Sequence, residues 1–154
     1  MSSQPVEIRT HRSEPVTRSI AASVVIRSSG RSMIDITRAI SGWLLDQQVG
    51  AGLLTLHIRH TSASLTIQEN ADPDVQADLL DAFDRLAPDH HAYRHDCEGP
   101  DDMPAHIKAA LTDVNLSIPV RDGRLTLGTW QGIYLVEHRT RPHSRTIDLA
   151  YIGN

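Results

Sequence analysis

Strands and helices leave different periodic patterns of apolar residues along this chain. Side chains of a strand alternate between two faces, whereas one face of a helix returns every three or four residues. Strand-like alternation or β-branched runs occupy segments 7–11, 18–27, 52–60, 65–68, 116–120, 124–127, 133–139 and 145–152. Helical spacing predicts three helices, over 34–48, 73–87 and 103–111.

The order of these elements predicts the fold class. Two pairs of strands alternate with the first two helices, and a run of strands follows the third helix. Within that run, Asp122-Gly123 is a strong signal for a tight hairpin. This order is typical of an α+β domain with a largely antiparallel sheet. We expect a single domain over residues 1–154, with a flexible polar tip at residues 1–5.

A polar corner interrupts the apolar pattern after the third predicted strand. The polar groups of the corner and of the next strand end are His60, Thr61, Ser62, Glu69 and Asn70. A structural turn does not require so many imidazole, hydroxyl, carboxylate and amide groups. His60 lies at a strand end, where functional side chains often occur. His57 points to the opposite face and is more typical of a solvated or cross-strand-paired histidine.

A polar segment without either period runs from Pro88 to Asp102. A loop of this length in a compact domain is usually functional or disordered. Within it we single out His95 and Asp96, because an imidazole beside a carboxylate is suited to binding a metal or carrying a proton. For the neighbouring histidines of the loop, a solvated position is the simpler interpretation.

Two further residues carry candidate chemistry. His106 shares a predicted helix face with Asp102, although a histidine in the middle of an amphipathic helix is more often a partly buried core residue. Glu137 is a carboxylate among apolar neighbours on its strand, which costs free energy unless the group is paired or used. Pairing with an arginine and a functional role both remain open for Glu137.

Composition excludes several classes of partner. The net charge is -4 at pH 7, so no overall positive field attracts nucleic acid or an anionic membrane. No apolar run approaches the ~18 residues of a membrane span, and the signal-peptide pattern is absent, so we expect a cytoplasmic protein. The single Cys97 excludes an intramolecular disulfide and a cysteine-rich zinc site. Local catalytic signatures such as GxSxG or HExxH are absent as well.

Three long segments nevertheless resemble one protein family, the YjbQ family, whose members are often named secondary thiamine-phosphate synthases. The segments are HTSASLTIQENADPD at 60–74, EGPDDMPAHIKAAL at 98–111 and IPVRDGRLTLGTWQGIYLVEHR at 118–139. The resemblance implies a sandwich of largely antiparallel sheets assembled as a homotrimer. The polar positions that match the family pattern are His60, Thr61, Ser62, Glu69, Asn70, Asp72, His95, Gly99, His106, Trp130, Gln131 and Glu137.

The resemblance also suggests a metal site. His60, His95 and His106 all fall on matched positions, and three imidazoles with an open position are typical of a catalytic divalent-metal centre, with Zn or Mg as candidate ions. Glu137 or Asp96 would then act as base on a bound water. A polar pocket that uses the same groups without a metal is the alternative.

Three functions follow as hypotheses. The family activity implies a transferase that condenses a pyrimidine pyrophosphate with a thiazole phosphate and releases diphosphate. In this reaction Thr61, Glu69, Asn70 and Gln131 would contact substrate and Trp130 would stack on a heterocycle. Arginines at 139, 141 and 145 would hold phosphate oxygens. The alternatives are metal-assisted hydrolysis of a small phosphorylated or amide metabolite near His60 and Ser62, and a non-enzymatic trimer that binds a small anion.

Overall fold

The computed structural model describes residues 8–10 and 13–154, which form eight strands and three helices. The strands are β1 (Arg18–Ser28), β2 (Ser32–Asp35), β3 (Gly52–Ile58), β4 (Ala63–Glu69), β5 (Asn115–Arg121), β6 (Arg124–Leu125), β7 (Gln131–Glu137) and β8 (His143–Gly153). The helices are α1 (Thr37–Asp46), α2 (Pro73–Leu86) and α3 (Asp102–Ala110). Residues 8–10 form no strand. The ends of the strand predicted at 7–11, and the tip at 1–5, lie outside the described residues.

The larger sheet has five strands in the order β1-β8-β3-β5-β6, all paired antiparallel. Leu54, Leu56 and Ile58 of β3 are buried, as the alternation predicts. The predicted hairpin connects β5 to β6, and Asp122 and Gly123 have φ values of 49° and 72°. A two-residue turn with positive φ at both positions matches the twist of the flanking strands.

The smaller sheet has three antiparallel strands in the order β2-β7-β4. One of its faces shares a hydrophobic core with α1 and the inner face of the larger sheet. Core residues contributed by the smaller sheet and α1 are Ala63, Leu65, Ile133, Leu135, Ile40 and Leu44. The predicted α+β class with largely antiparallel sheets is therefore confirmed. Within the described chain, no helix is long and apolar enough to cross a membrane.

Strand β2 was not expected from the sequence, which predicts a helix from Ile34. In the structure Ile34 pairs with Leu135 of β7, and the backbone N–H of Ile36 donates to Ile133 O at 2.9 Å. Helix α1 therefore begins only at Thr37. Pairing with a buried central strand outweighs the local helical spacing of these residues.

Helices α2 and α3 lie near the smaller sheet, but they are buried to different extents. Helix α3 has buried residues, whereas α2 has none, and the apolar Leu86 of α2 is 67% exposed. The helical spacing of Val75, Leu79, Phe83 and Leu86 predicts a packed apolar stripe, which is thus confirmed only in part.

The opposite face of α2, predicted to be solvated, carries Asp78, Asp81 and Asp84, of which the first two are exposed. The Asp84 side chain is 42% exposed, and its carboxylate also accepts from the buried Lys108 at 2.5 Å and from Arg31 at 3.0 Å. A buried ammonium requires such a partner.

Candidate metal centre

Three side chains from α3 and the loop before it meet at one point. His95 Nε2 lies 2.8 Å from Asp102 Oδ2, and His106 Nε2 lies 3.3 Å from the same oxygen. Asp102 and His106 are four residues apart, so both side chains lie on one face of α3. The three candidate ligand atoms lie within 4.8 Å of one another. This His95–Asp102–His106 cluster can place two nitrogens and one oxygen around a single ion.

The hydrogen bonds of His106 determine which ring nitrogen carries the proton. Nδ1 lies 3.0 Å from the carbonyl oxygen of Thr61. Because a carbonyl oxygen only accepts, Nδ1 carries the proton, and Nε2 of the neutral ring is an acceptor. That acceptor faces the Asp102 carboxylate at 3.3 Å, an arrangement that requires a proton or a cation between the two atoms. A backbone carbonyl on the second ring nitrogen is also typical of metal-binding histidines, so the residues fit a metal ion.

Arg139 holds the carboxylates behind this cluster. Its Nη1 donates to Asp102 Oδ1, and its Nε donates to Asp101 Oδ2 at 3.1 Å. Its Nη2 donates to the carbonyl oxygen of Glu98 at 2.9 Å. Asp102 Oδ2 is left facing the two histidines.

Asp101 is the second carboxylate on Arg139. Burial raises the pKa of Asp101, but this effect is outweighed by hydrogen bonds from the Thr140 backbone N–H, the Arg139 guanidinium and the Thr140 hydroxyl, which lower the pKa to about 2. The two Thr140 donors lie 2.8 and 2.9 Å from Asp101 Oδ2. Asp101 therefore remains a carboxylate at neutral pH and anchors Arg139.

Glu137 is fully buried and is paired with Arg145. Oε1 accepts from Arg145 Nη2 at 2.6 Å and from the Arg139 N–H at 3.0 Å. Oε2 accepts from Arg145 Nε at 2.7 Å and from Ser28 Oγ at 2.8 Å. Burial raises the pKa of Glu137, but these hydrogen bonds, led by the one from Arg145, outweigh burial and lower it. Each oxygen already accepts two hydrogen bonds, so the contacts support the pairing alternative. The role of Glu137 as a base stays a prediction.

His60 lies outside the cluster, at the corner between β3 and β4. Its Nε2 accepts the backbone N–H of Thr146 at 2.9 Å, so the neutral ring carries its proton on Nδ1. Burial lowers the pKa of His60, and the nearby Arg145 charge lowers it further. A ring whose Nε2 lone pair is already used is poorly prepared to bind a metal. In the cluster, Asp102 is the third candidate metal ligand, where the sequence suggested His60. The role of His60 as a metal ligand stays a prediction.

His95 contacts the carboxylate of Asp102, not that of Asp96, which follows it in the sequence. Asp96 is exposed, whereas the imidazole of His95 contacts Asp102. The carboxylate that His95 contacts is therefore that of Asp102, and the predicted role of Asp96 as a base stays a prediction. Sequence reasoning missed Asp102 as a functional residue because an acid at a helix start is already explained by the helix dipole. Its four-residue spacing from His106 was the available signal.

The remaining predicted site residues divide between two ends of the smaller sheet. Thr61 and Ser62 lie beside the cluster end, where their carbonyl oxygens accept from His106 and Arg145. The other end holds Glu69, Asn70, Trp130 and Gln131. Strand β4 separates the ends by roughly 20 Å, at about 3.3 Å per residue. Trp130 is 64% exposed there. One chain therefore does not bring all predicted substrate residues to one pocket.

Two of the three arginines predicted to hold phosphate are already engaged. The guanidinium of Arg139 is bound to Asp101 and Asp102, and that of Arg145 is bound to Glu137. Arg141 is exposed and follows Arg139 by two residues. Of the three arginines, Arg141 is the exposed one, and its role in holding phosphate stays a prediction.

Known proteins match this chain over most of its length. The sequence model of the family described as UPF0047 protein YjbQ-like matches residues 22–154. A UPF0047 protein from Synechocystis sp. is 52% identical over 131 residues, which cover 84% of this chain and 89% of that protein. UPF0047 protein YjbQ from Salmonella typhimurium is 53% identical over 113 residues, which cover 73% and 80%. The crystal structure of a hypothetical protein from Aeropyrum pernix K1 aligns with a TM-score of 0.81 at 29% identity, covering 88% of this chain and 99% of that one.

Proposed function

The chain belongs to the UPF0047 family of YjbQ-like proteins, and we propose that it is a metal-dependent enzyme that acts on small anionic metabolites, with His95, Asp102 and His106 as the metal ligands. One observation carries this proposal. The Nδ1–H of His106 donates to a backbone carbonyl, and its Nε2 faces the carboxylate of Asp102 at 3.3 Å. This contact requires a proton or a cation between the two atoms, and a divalent cation bound by both residues would satisfy it.

The donor set favours a zinc-class ion over magnesium. Two imidazole nitrogens and one carboxylate oxygen are ligands of zinc and of neighbouring transition metals, whereas magnesium prefers oxygen ligands and water. When bound, such an ion supplies a Lewis acid that polarises a phosphoryl or carbonyl oxygen. The positive charge of Arg139 balances the negative charge of only one of the two carboxylates, Asp101 and Asp102. A divalent ion more than balances the other, so the occupied cluster would carry a net positive charge. An anionic substrate is therefore the natural class.

Two reactions suit this site. In the transferase reaction, a C–O bond of a pyrimidine pyrophosphate breaks, diphosphate leaves with the bonding electrons, and the nitrogen of a thiazole phosphate forms the new C–N bond. In the hydrolase reaction, water replaces the leaving group of a phosphorylated or amide metabolite. The exposed Arg141 would hold the anion in either case. His60 would serve both as a neutral hydrogen-bond donor through Nδ1 rather than as a ligand.

Elemental analysis of the purified protein tests the metal centre. We expect about one zinc-class ion per chain in the wild type and its loss in His95→Ala, His106→Ala and Asp102→Asn. His57→Ala is the matched control, because His57 pairs with Asn115 on an exposed sheet face at 2.6 Å. Retention of the ion in Asp102→Asn together with its loss in His60→Ala would favour the three-histidine site instead. Absence of metal in the wild type, after growth with added zinc, would contradict the proposal.

The separation of the predicted substrate residues supports a shared site in a homotrimer. Glu69, Asn70, Trp130 and Gln131 lie roughly 20 Å from the cluster end of the same chain, by strand geometry. A head-to-tail trimer whose subunits meet through these two ends would bring these residues of one chain to the cluster of the next. The exposure of Trp130 agrees with such a contact.

Mixed assemblies test the shared site. We expect His106→Ala and Trp130→Ala to be inactive alone in releasing diphosphate from a pyrimidine pyrophosphate in the presence of a thiazole phosphate. Refolded together in equal amounts, they should recover about a quarter of wild-type activity, because random head-to-tail pairing leaves one site in four intact. Sedimentation of the wild type checks the trimer directly. A trimer whose mixed assemblies stay inactive would argue against sharing.

A further inference from the structure

Arg139 lies behind the cluster, and each nitrogen of its guanidinium has a protein acceptor. Nη1 donates to Asp102 Oδ1, Nε donates to Asp101 Oδ2 at 3.1 Å, and Nη2 donates to the Glu98 carbonyl at 2.9 Å. The side chain is only 12% exposed. These contacts place the guanidinium between the carboxylates rather than toward an incoming substrate.

The contact with Arg139 divides the two oxygens of Asp102 between two tasks. Oδ1 is held by the guanidinium, whereas Oδ2 lies 2.8 Å from His95 Nε2 and 3.3 Å from His106 Nε2. We infer that Arg139 is a positioning residue, which fixes Asp102 as a single-oxygen ligand and thereby sets the affinity and geometry of the metal centre. This inference rests on the proposed function, because it requires an ion at the cluster.

The backbone around Arg139 is anchored on both sides of the contact. The Arg139 N–H donates to Glu137 Oε1 at 3.0 Å, and Glu137 is itself held by Arg145. The next residue, Thr140, donates its N–H to Asp101 Oδ2 at 2.8 Å. The guanidinium therefore reaches Asp102 from a fixed main chain. Such supporting contacts are what keep a metal ligand in its productive orientation.

Two chemical consequences follow from an arginine at this position. Its planar fork bridges Asp101 and Asp102 at once, whereas a lysine keeps the charge but loses the fixed directions of the donors. Single-oxygen binding by Asp102 also works against calcium, which gains from carboxylates that offer both oxygens. Two imidazoles and one carboxylate oxygen instead suit zinc or cobalt. Arg139 therefore helps to select the zinc class of ion.

Arg139→Lys tests this role in the full-length protein stripped of metal, with Co²⁺ as the probe. We expect Co²⁺ binding to weaken about 10- to 100-fold. The visible absorption of bound Co²⁺ should also change, because the released Oδ1 joins the coordination shell. Thr140→Val is the matched control. It removes the Thr140 hydroxyl bond to Asp101 and leaves the contact between Arg139 and Asp102 in place, so its Co²⁺ binding and spectrum should equal those of the wild type.

Each outcome decides the inference. Unchanged Co²⁺ affinity and spectrum in Arg139→Lys would overturn it, and so would equal weakening in Thr140→Val, because the effect would then be a general loss of local structure. A wild type that binds no Co²⁺ would remove the proposed metal centre as well. Arg139→Ala, titrated with and without millimolar guanidinium chloride, gives an independent measurement if the lysine variant does not fold. Restored Co²⁺ binding supports the role of Arg139, and no restoration counts against it.

Discussion

Glu137→Leu is expected to lower the free energy of unfolding by about 3–5 kcal/mol, because it leaves a buried charge without its partner. Glu137 and Arg145 are both buried. Arg145 donates to the two carboxylate oxygens at 2.7 and 2.6 Å. Leucine has no acceptor for these donors, nor for the hydroxyl of Ser28. Urea unfolding at neutral pH measures the change.

A double variant separates the uncompensated charge from lost packing. Glu137→Leu combined with Arg145→Met removes both charges and keeps apolar volume, so it should recover most of the lost stability. The exposed pair of Arg59 and Asp148, 3.2 Å apart, provides a control. Asp148→Asn should cost about 0–1 kcal/mol. A Glu137→Leu protein as stable as the wild type would contradict the buried ion pair.

Local sequence signals predicted the parts of the fold that depend on neighbouring residues. The hairpin at Asp122-Gly123 has the positive φ values that its residues favour. The residues Asp72-Pro73-Asp74 predict a helix start with Asp72 as its cap. Helix α2 does begin at Pro73, and Asp72 accepts the Asp74 N–H at 2.9 Å. Turn chemistry and capping act within a few residues, so the sequence alone is sufficient to predict them.

Elements that depend on distant partners were predicted less well. Ile34 fits a helical pattern, yet β2 forms because β7 offers it a pairing edge about one hundred residues away. Likewise, α2 has an apolar stripe, but how deeply this stripe is buried depends on surfaces that the pattern does not describe. Periodicity indicates which face is apolar and leaves its partner undetermined.

The candidate site shows the same limit. Resemblance to the family indicated His95 and His106, and the structure brings both to one carboxylate. It did not indicate Asp102, nor that Arg139 serves that carboxylate. The family resemblance also grouped Trp130 and His106 among the matched residues. In the structure the two lie near opposite ends of the β4–β7 pair, because His106 contacts Thr61 before β4 and Trp130 precedes β7. Positions that match the family pattern show which polar residues are candidates. Which of these residues lie together is known only once the pairing of the strands is known.

Lowering the pH from 6.5 to 4 is expected to cost about 3 kcal/mol of stability through His138 alone. His138 is fully buried, and its Nε2 lies 2.8 Å from Ser64 Oγ. Its Nδ1 has no hydrogen-bond partner within the part of the chain that the structure describes. Burial lowers the pKa of His138 from 6.5 to about 4, and the charge of the nearby Lys108 contributes in the same direction. Denaturant unfolding at a series of pH values measures the loss.

The sign of this effect follows from which state binds the proton. His138 of the unfolded chain protonates as the pH falls through 6.5, whereas His138 of the folded chain stays neutral until about pH 4. The unfolded state therefore binds more protons in this window, and the free energy of unfolding decreases with decreasing pH. Above pH 6.5 the contribution is fully present. Below about pH 4 it is lost.

His138→Gln isolates this contribution, because glutamine can still reach Ser64 Oγ and does not titrate. The stability difference between wild type and variant should change by about 3 kcal/mol across the window. Acids such as Asp101, whose pKa is lowered to about 2, titrate in both proteins and cancel in the difference. His90→Gln, at an exposed loop position, controls for the loss of one imidazole and should follow the wild-type curve. Parallel curves for wild type and His138→Gln would mean that the folded protein accepts a proton on His138 as readily as the unfolded chain does.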